Sequence, residues 1–112
     1  MSHKKLILIA DDEVAIHDSL RLYLQREGYE VYSVFRGTDV MEAFQRMRPD
    51  LVILDIMMPG RSGTEVCADI RAISMTAVII LTAKGEEADR LLGFALGADD
   101  YIVKPFSPRE IV

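Results

Sequence analysis

The stretch Pro49 to Gly60, PDLVILDIMMPG, constrains the fold more than any other part of the chain. Its core, Leu51 to Leu54, is a continuous apolar run opened by Pro-Asp and closed by Pro-Gly, the pattern of a strand buried on both faces. Asp55 stands at its end. A carboxylate directly after a buried strand is expensive in an apolar interior, so it lies in a solvated mouth, caps a backbone amine or holds a cation.

Two more runs have the same character, Leu6 to Ala10 (LILIA) and Ala77 to Leu81 (AVIIL). Tyr29 to Phe35 mixes Glu30 and Ser33 with Val31, Tyr32 and Val34, which suits a strand nearer the sheet edge. Tyr101 to Val103 is a fifth, short strand closed by Lys104 and Pro105. Between the strands the apolar spacing turns helical. Ile16, Leu20, Tyr23 and Leu24 mark a helix over Val14 to Glu27, with Gly28 as its stop. Val40, Ala43, Phe44 and Met47 mark a second, ended before Pro49 because the residue preceding proline disfavours the α region. Val66, Cys67, Ile70 and Ile73 mark a third over Thr64 to Ile73. A fourth, with the thin apolar face Ala88, Leu91, Leu92 and Ala95, stops at Gly97. Ser107 and Pro108 have the chemistry of an N-cap and first helical position, so a last helix starts there and is expected to continue beyond Val112.

Strands alternating with helices, several of them apolar on both faces, imply an α/β fold with a parallel five-stranded sheet covered on either side. At 112 residues this is one domain. The formal charge of -5 argues against the domain gripping nucleic acid by itself. No apolar run reaches the roughly 20 residues of a membrane span, and the run after MSHKK is too short for a signal peptide, so a cytoplasmic location is expected. The single cysteine, Cys67, rules out an internal disulfide and reads as a core thiol.

In open parallel sheets ligands bind beyond the carboxyl ends of the strands, where strand order reverses. Four strands deliver polar residues to that edge: Asp11 and Asp12, Asp55, Thr82, and Lys104. Singly each is ordinary; Asp12 could cap the first helix, Thr82 a turn, and Lys104 could be a solvated surface lysine. Together they form a hard-cation site beside a fixed positive charge. Two carboxylates about 4 Å apart repel by roughly 4 kcal/mol at an effective dielectric near 20, so three need a cation or a shared proton. Mg2+ fits, since it takes oxygen ligands and prefers one or two carboxylates plus phosphate oxygens. His3 lies in the N-terminal tail and His17 a full turn into the first helix; surface placement is expected for both, and neither serves as ligand or base. With no glycine-rich phosphate loop, Ser-His pairing or cysteine nucleophile, Asp55 is the candidate nucleophile, becoming an aspartyl phosphate while Mg2+ and Lys104 neutralise the incoming group.

The segments ADDE, ILDIMMPG, ILTA and YIVKPF, in this order and spacing, resemble the receiver domain of two-component response regulators over the whole chain. GADDYIVKPFSPREI is most similar to the OmpR/PhoB subfamily, whose members carry a C-terminal winged-helix DNA-binding domain. The resemblance implies a flavodoxin-like (βα)5 doubly wound sheet of order 2-1-3-4-5 with the last helix truncated, residues 1–112 being the receiver and the DNA-binding domain lying outside this chain. It implies a phosphorylation-dependent switch in a transcription regulator rather than an enzyme in the ordinary sense, although it would catalyse its own phosphotransfer and slow autodephosphorylation. Asp55 would be the phosphoacceptor and a sensor histidine kinase the donor. Asp12, Asp55 and the Met57 carbonyl would bind Mg2+, Asp11 through water; Lys104 would pair with the phosphoryl group, Thr82 would hydrogen-bond it, and Tyr101 would be the switch aromatic. Met57 and Lys84 would tune the phosphoaspartate lifetime, and Lys104–Pro105 is a candidate cis peptide. Arg90, Asp99, Asp100 and Glu110 resemble the positions through which this subfamily forms homodimers across helix four, strand five and helix five.

Three other readings fit less well. A haloacid-dehalogenase-like phosphatase needs a second acid two residues after its nucleophile, where this chain has Met57. A flavodoxin-like electron carrier needs a hydroxyl-rich loop after the first strand, where Asp11, Asp12 and Glu13 would repel a flavin phosphate. A receiver that works without phosphorylation would not need the five residues that are all present.

Overall fold

A computed structural model describes residues 5–83 and 99–104. The expected fourth helix with Arg90, Lys84, the Lys104–Pro105 bond, and the last helix with Glu110 lie outside the described residues. Within them, β1 (Leu6–Ala10), β2 (Glu30–Val34), β3 (Leu51–Asp55), β4 (Ala77–Ala83) and β5 (Asp100–Lys104) form a sheet of order β2-β1-β3-β4-β5 in which every pair is parallel. The order reverses at β1, so β1 and β3 are neighbours in the middle and β2 is an edge, as its mixed sequence requires. β4 runs two residues further than its apolar run, through Thr82 and Ala83. Thr82 and Ala83 pair with Val103 and Lys104 of β5, so ladder hydrogen bonding carries the strand past the point where hydrophobicity ends.

The period-two alternation of side chains divides the core in two. Leu8, Ala10, Val52, Leu54, Val78 and Ile80 face α2 (Val40–Met47) and α3 (Gly63–Ile73), meeting Val40, Ala43, Phe44, Val66, Cys67 and Ile70. Ile7, Ile9, Ile53 and Leu81 face the other way, onto Leu20 and Leu24 of α1 (Val14–Arg26). This is why β1, β3 and β4 are apolar throughout: each has a helix layer on both sides. Cys67 is buried in the first cluster, and burial pushes its thiol pKa up, so it behaves as a core side chain.

The helix ends follow local chemistry. Gly28, at φ 93°, ends α1 with its N–H on the Gln25 carbonyl (3.1 Å) and the Tyr29 N–H on the Leu24 carbonyl (3.0 Å), the bond pair of a Schellman motif. α2 is preceded by a 3₁₀ turn over Gly37–Asp39 and ends at Arg48, which leaves the α region ahead of Pro49 by adopting a left-handed conformation at φ 50°. Ser62 and Glu65 form a reciprocal capping box at the start of α3, a signature legible in the sequence as S-x-x-E.

Leu54 is fully buried between both neighbouring strands and the α2–α3 layer, one residue before Asp55. Truncating Leu54→Ala removes that packing and leaves a cavity, and is expected to cost about 2–5 kcal/mol in urea unfolding.

Candidate phosphoacceptor site

Parallel register builds the site before any side chain is considered. Ala10 pairs with Leu54, so Asp11 and Asp55 follow side by side at the carboxyl ends of the two central strands. Asp55 in turn pairs with Leu81, and the next amide, Ile56 N–H, donates to the Leu81 carbonyl at 3.0 Å, which brings Thr82 to the same rim. Lys104 ends β5 opposite Ala83, one step past Thr82, and Tyr101 pairs with Ile80 within that strand.

The three carboxylates converge: Asp11, Asp12 and Asp55 each offer an oxygen, all within 4.8 Å of one another. Asp11 is fully buried, Asp55 is 6% exposed and Asp12 faces solvent. An all-oxygen donor set at this spacing suits a hard divalent cation, whose charge would offset the repulsion between the acids. The Glu13 N–H donates to Asp11 Oδ1 at 2.9 Å. The Met57 N–H reaches Asp55 Oδ1 at 3.5 Å, and the Met57 side chain, 62% exposed, stands at the mouth. Asp12 does not cap α1: the N-cap is Glu13, which makes no side-chain capping bond. Thr82 is buried at the strand end.

His17 is the clear correction to the sequence reading. Instead of lying on the surface it is 2% exposed, its Nε2 bonded to the Asp11 carbonyl at 2.7 Å and its ring tilted against Phe35 with centroids 4.3 Å apart. The signal was present: His17, Leu20 and Leu24 recur at i, i+3 and i+7, and all three are buried. A stripe traced by apolar residues alone omits a polar member.

The loop from Ile56 to Ser62 that flanks the carboxylates is held at both ends. The Gly63 N–H donates to the Ile56 carbonyl at 2.9 Å, and a Cβ at Gly63 would lie 2.2 Å from the Asp55 carbonyl oxygen, so only glycine lets α3 start this close to the end of β3. Arg61 forks onto both oxygens of Asp69, at 2.7 and 2.9 Å, and reaches Glu65 at 3.3 Å. The hydrogen bond to Asp69 raises the Arg61 pKa further above its ordinary value. Gly37 N–H donates to the Pro59 carbonyl at 3.1 Å, tying the loop after β2 to the same segment.

Asp99, expected on a dimer face, also has work within the chain. Its Oδ2 accepts from the Val78 N–H at 2.8 Å and from Arg71 at 3.1 Å, joining the start of β5 to β4 and the end of α3. Asp100 follows as the first residue of β5.

A parallel sheet of this order, with an acid cluster at the carboxyl ends of its central strands, defines a flavodoxin-like α/β module. The comparisons with known proteins give the family: the response regulator receiver domain model matches residues 7–112, and the chain belongs to that family. It is 52% identical over 106 residues to the transcriptional regulatory protein ResD of Bacillus subtilis (strain 168), covering 95% of this chain and 44% of that protein, in keeping with the OmpR/PhoB subfamily. The chain therefore spans less than half the length of this relative. Among solved structures it is similar to a response regulator from Chloroflexus aurantiacus J-10-fl (TM-score 0.91, 32% identity, 97% of this chain and 92% of that one). It is also similar to the BeF3-activated N-terminal receiver domain of Klebsiella pneumoniae RstA (TM-score 0.89, 31% identity, 96% and 92%). As a receiver domain the chain is a signalling switch with the phosphoacceptor role in two-component signalling.

The capping box makes one local prediction. Hydrogen bonds from the Ser62 backbone and side chain lower the Glu65 pKa. A carboxyl whose folded pKa is depressed adds stability above its unfolded pKa, and that contribution is lost as pH falls through the folded value. Ser62→Ala is expected to move the Glu65 titration upward, toward the ordinary glutamate range, as followed by NMR of its side-chain carboxyl carbon.

Proposed function

We propose that Asp55 is the phosphorylated residue and that the acid cluster holds Mg2+ while a sensor histidine kinase supplies the phosphoryl group. The convergence of Asp11, Asp12 and Asp55 at the ends of β1 and β3 is the observation that carries this reading. Asp12, Asp55 and the Met57 carbonyl would be direct ligands, with Asp11 acting through water. When bound, the ion would neutralise the carboxylates and the incoming phosphoryl oxygens.

In the transfer, an Asp55 carboxylate oxygen forms a bond to phosphorus while the P–N bond of the donor phosphohistidine breaks and the imidazole leaves with the bonding pair. The product is an aspartyl phosphate. Its site on the rim of a rigid sheet favours catalysis by positioning and electrostatics, with Lys104 pairing with the phosphoryl oxygens. Hydrolysis by the chain itself would return Asp55 to the carboxylate. The added group carries about -1.5 to -2 charges near neutral pH; it draws in the Thr82 hydroxyl, and Tyr101 fills the space that the hydroxyl vacates.

The output would belong to a C-terminal winged-helix DNA-binding domain outside this chain, in a cytoplasmic transcription regulator. Among the described residues no helix is long and apolar enough to cross a membrane. Pairing through helix four, strand five and helix five, using Arg90, Asp99, Asp100 and Glu110, would couple phosphorylation to a two-fold dimer. Exposed ion pairs contribute only about 0–1 kcal/mol each, so the 112-residue chain should be monomeric or weakly dimeric before phosphorylation.

Treatment with a small-molecule phosphodonor and Mg2+ followed by peptide mapping is expected to place the added mass on Asp55. Asp55→Ala and chelation of Mg2+ should each abolish labelling; an Asp55→Ala protein labelled at the wild-type rate would overturn the assignment. Thr82→Ala should accept phosphate yet lose most of the phosphorylation-linked dimerisation seen by sedimentation. Equal dimerisation of Thr82→Ala and wild type would remove Thr82 from the switch.

A further inference from the structure

His17 lies outside the residues that touch a cation or a phosphoryl group, yet it is bonded to the frame that carries them. Its Nε2 meets the Asp11 carbonyl oxygen at 2.7 Å. A carbonyl oxygen only accepts, so Nε2 carries the proton and donates. Nδ1 is buried and has no hydrogen-bond partner among the described residues. Leucine at this position would pack against Phe35 without burying an unpaired nitrogen; what the imidazole alone adds is the bond to Asp11.

That carbonyl belongs to the peptide unit joining Asp11 to Asp12, two of the three clustered acids. Asp11 is also held elsewhere: its N–H donates to the Val34 carbonyl at 3.2 Å, and its Oδ1 accepts from the Glu13 N–H at 2.9 Å. The His17 bond acts on the 11–12 peptide plane, whose rotation would swing the Asp12 carboxylate relative to Asp55. Asp12 faces solvent, so little packing opposes that rotation. Phe35, in ring contact with His17, holds the imidazole from the end of β2.

We infer that His17 is a positioning residue for the cation pocket: its Nε2–H locks the Asp11–Asp12 peptide and so presets the separation of the three carboxylates before Mg2+ arrives. This rests on the Mg2+ reading proposed above. Groups that orient metal ligands from behind typically change affinity by about 10- to 100-fold when lost, and the lower end applies to a backbone contact. By thermodynamic linkage, whatever the hydrogen bond adds to Mg2+ affinity, bound Mg2+ adds to the hydrogen bond.

Titration calorimetry with Mg2+ alone, on the unphosphorylated chain, tests this with His17→Leu and His17→Gln. Glutamine keeps an N–H donor at nearly the reach of Nε2, whereas leucine keeps only bulk. His17→Leu is expected to bind Mg2+ about tenfold more weakly. His17→Gln should recover most of that loss, with circular dichroism melts reporting the fold of both. Wild-type affinity in His17→Leu, or an equal loss in a folded His17→Gln, overturns the inference and leaves the Mg2+ reading intact; a wild-type chain that binds no Mg2+ overturns both. Should His17→Leu fail to fold, NMR of the wild-type imidazole decides: exchange of Nε2–H with solvent is expected to slow on saturation with Mg2+, and unchanged exchange counts against the role.

Discussion

The pairing of β1 with β3 is the constraint on which the rest depends. These strands are distant in sequence and adjacent in the sheet, and their register, Ala10 beside Leu54, sets Asp11 next to Asp55. A slip of one residue would send Asp55 to the opposite face and bury an apolar side chain where the carboxylate stands. Ile7, Ile9 and Ile53 on one face and Leu8, Ala10, Val52 and Leu54 on the other oppose any such slip, because both faces lie under helices. Hydrophobic burial on two sides thus fixes the positions of three like charges that, left to themselves, would move apart.

Such a cluster is costly unless a cation offsets it, and the surroundings are arranged to keep it in place. The Ser62–Glu65 capping box, the Arg61–Asp69 fork and Gly63 hold the loop after β3, while Val34, Glu13 and His17 bond to Asp11. Much of this restraint reaches the backbone rather than the carboxylates. A frame held in this way spends little binding energy on reorganisation when a cation arrives.

The elements were legible because their signals are local. Three continuous apolar runs gave β1, β3 and β4, helical spacing gave α1, α2 and α3, and Gly28 and Pro49 marked stops that the structure keeps. The misses have non-local causes. β4 continues through Thr82 and Ala83 because β5 offers backbone partners there, a fact no hydropathy pattern contains. His17 was expected at the surface because an imidazole is usually solvated; its burial depends on a carbonyl six residues earlier and on the Phe35 ring just past β2. Asp99 showed nothing in sequence of its bonds to Val78 and Arg71, which come from segments about twenty to thirty residues away once the sheet has formed.

By itself the sequence determined which segments are buried strands, which helices lie between them, and which acids stand at strand ends, since each follows from composition and spacing within a few residues. The resemblance carried by ADDE, ILDIMMPG, ILTA and YIVKPF extended this to a receiver domain. Only the tertiary structure decided that Asp11, Asp12 and Asp55 fall within 4.8 Å of one another, that His17 is buried against the Asp11 carbonyl, and that Asp99 ties β5 to β4. The reason is physical: propensity and hydropathy act along the chain, whereas distances between carboxylates are set by strand register and layer packing, which exist only after remote segments have come together.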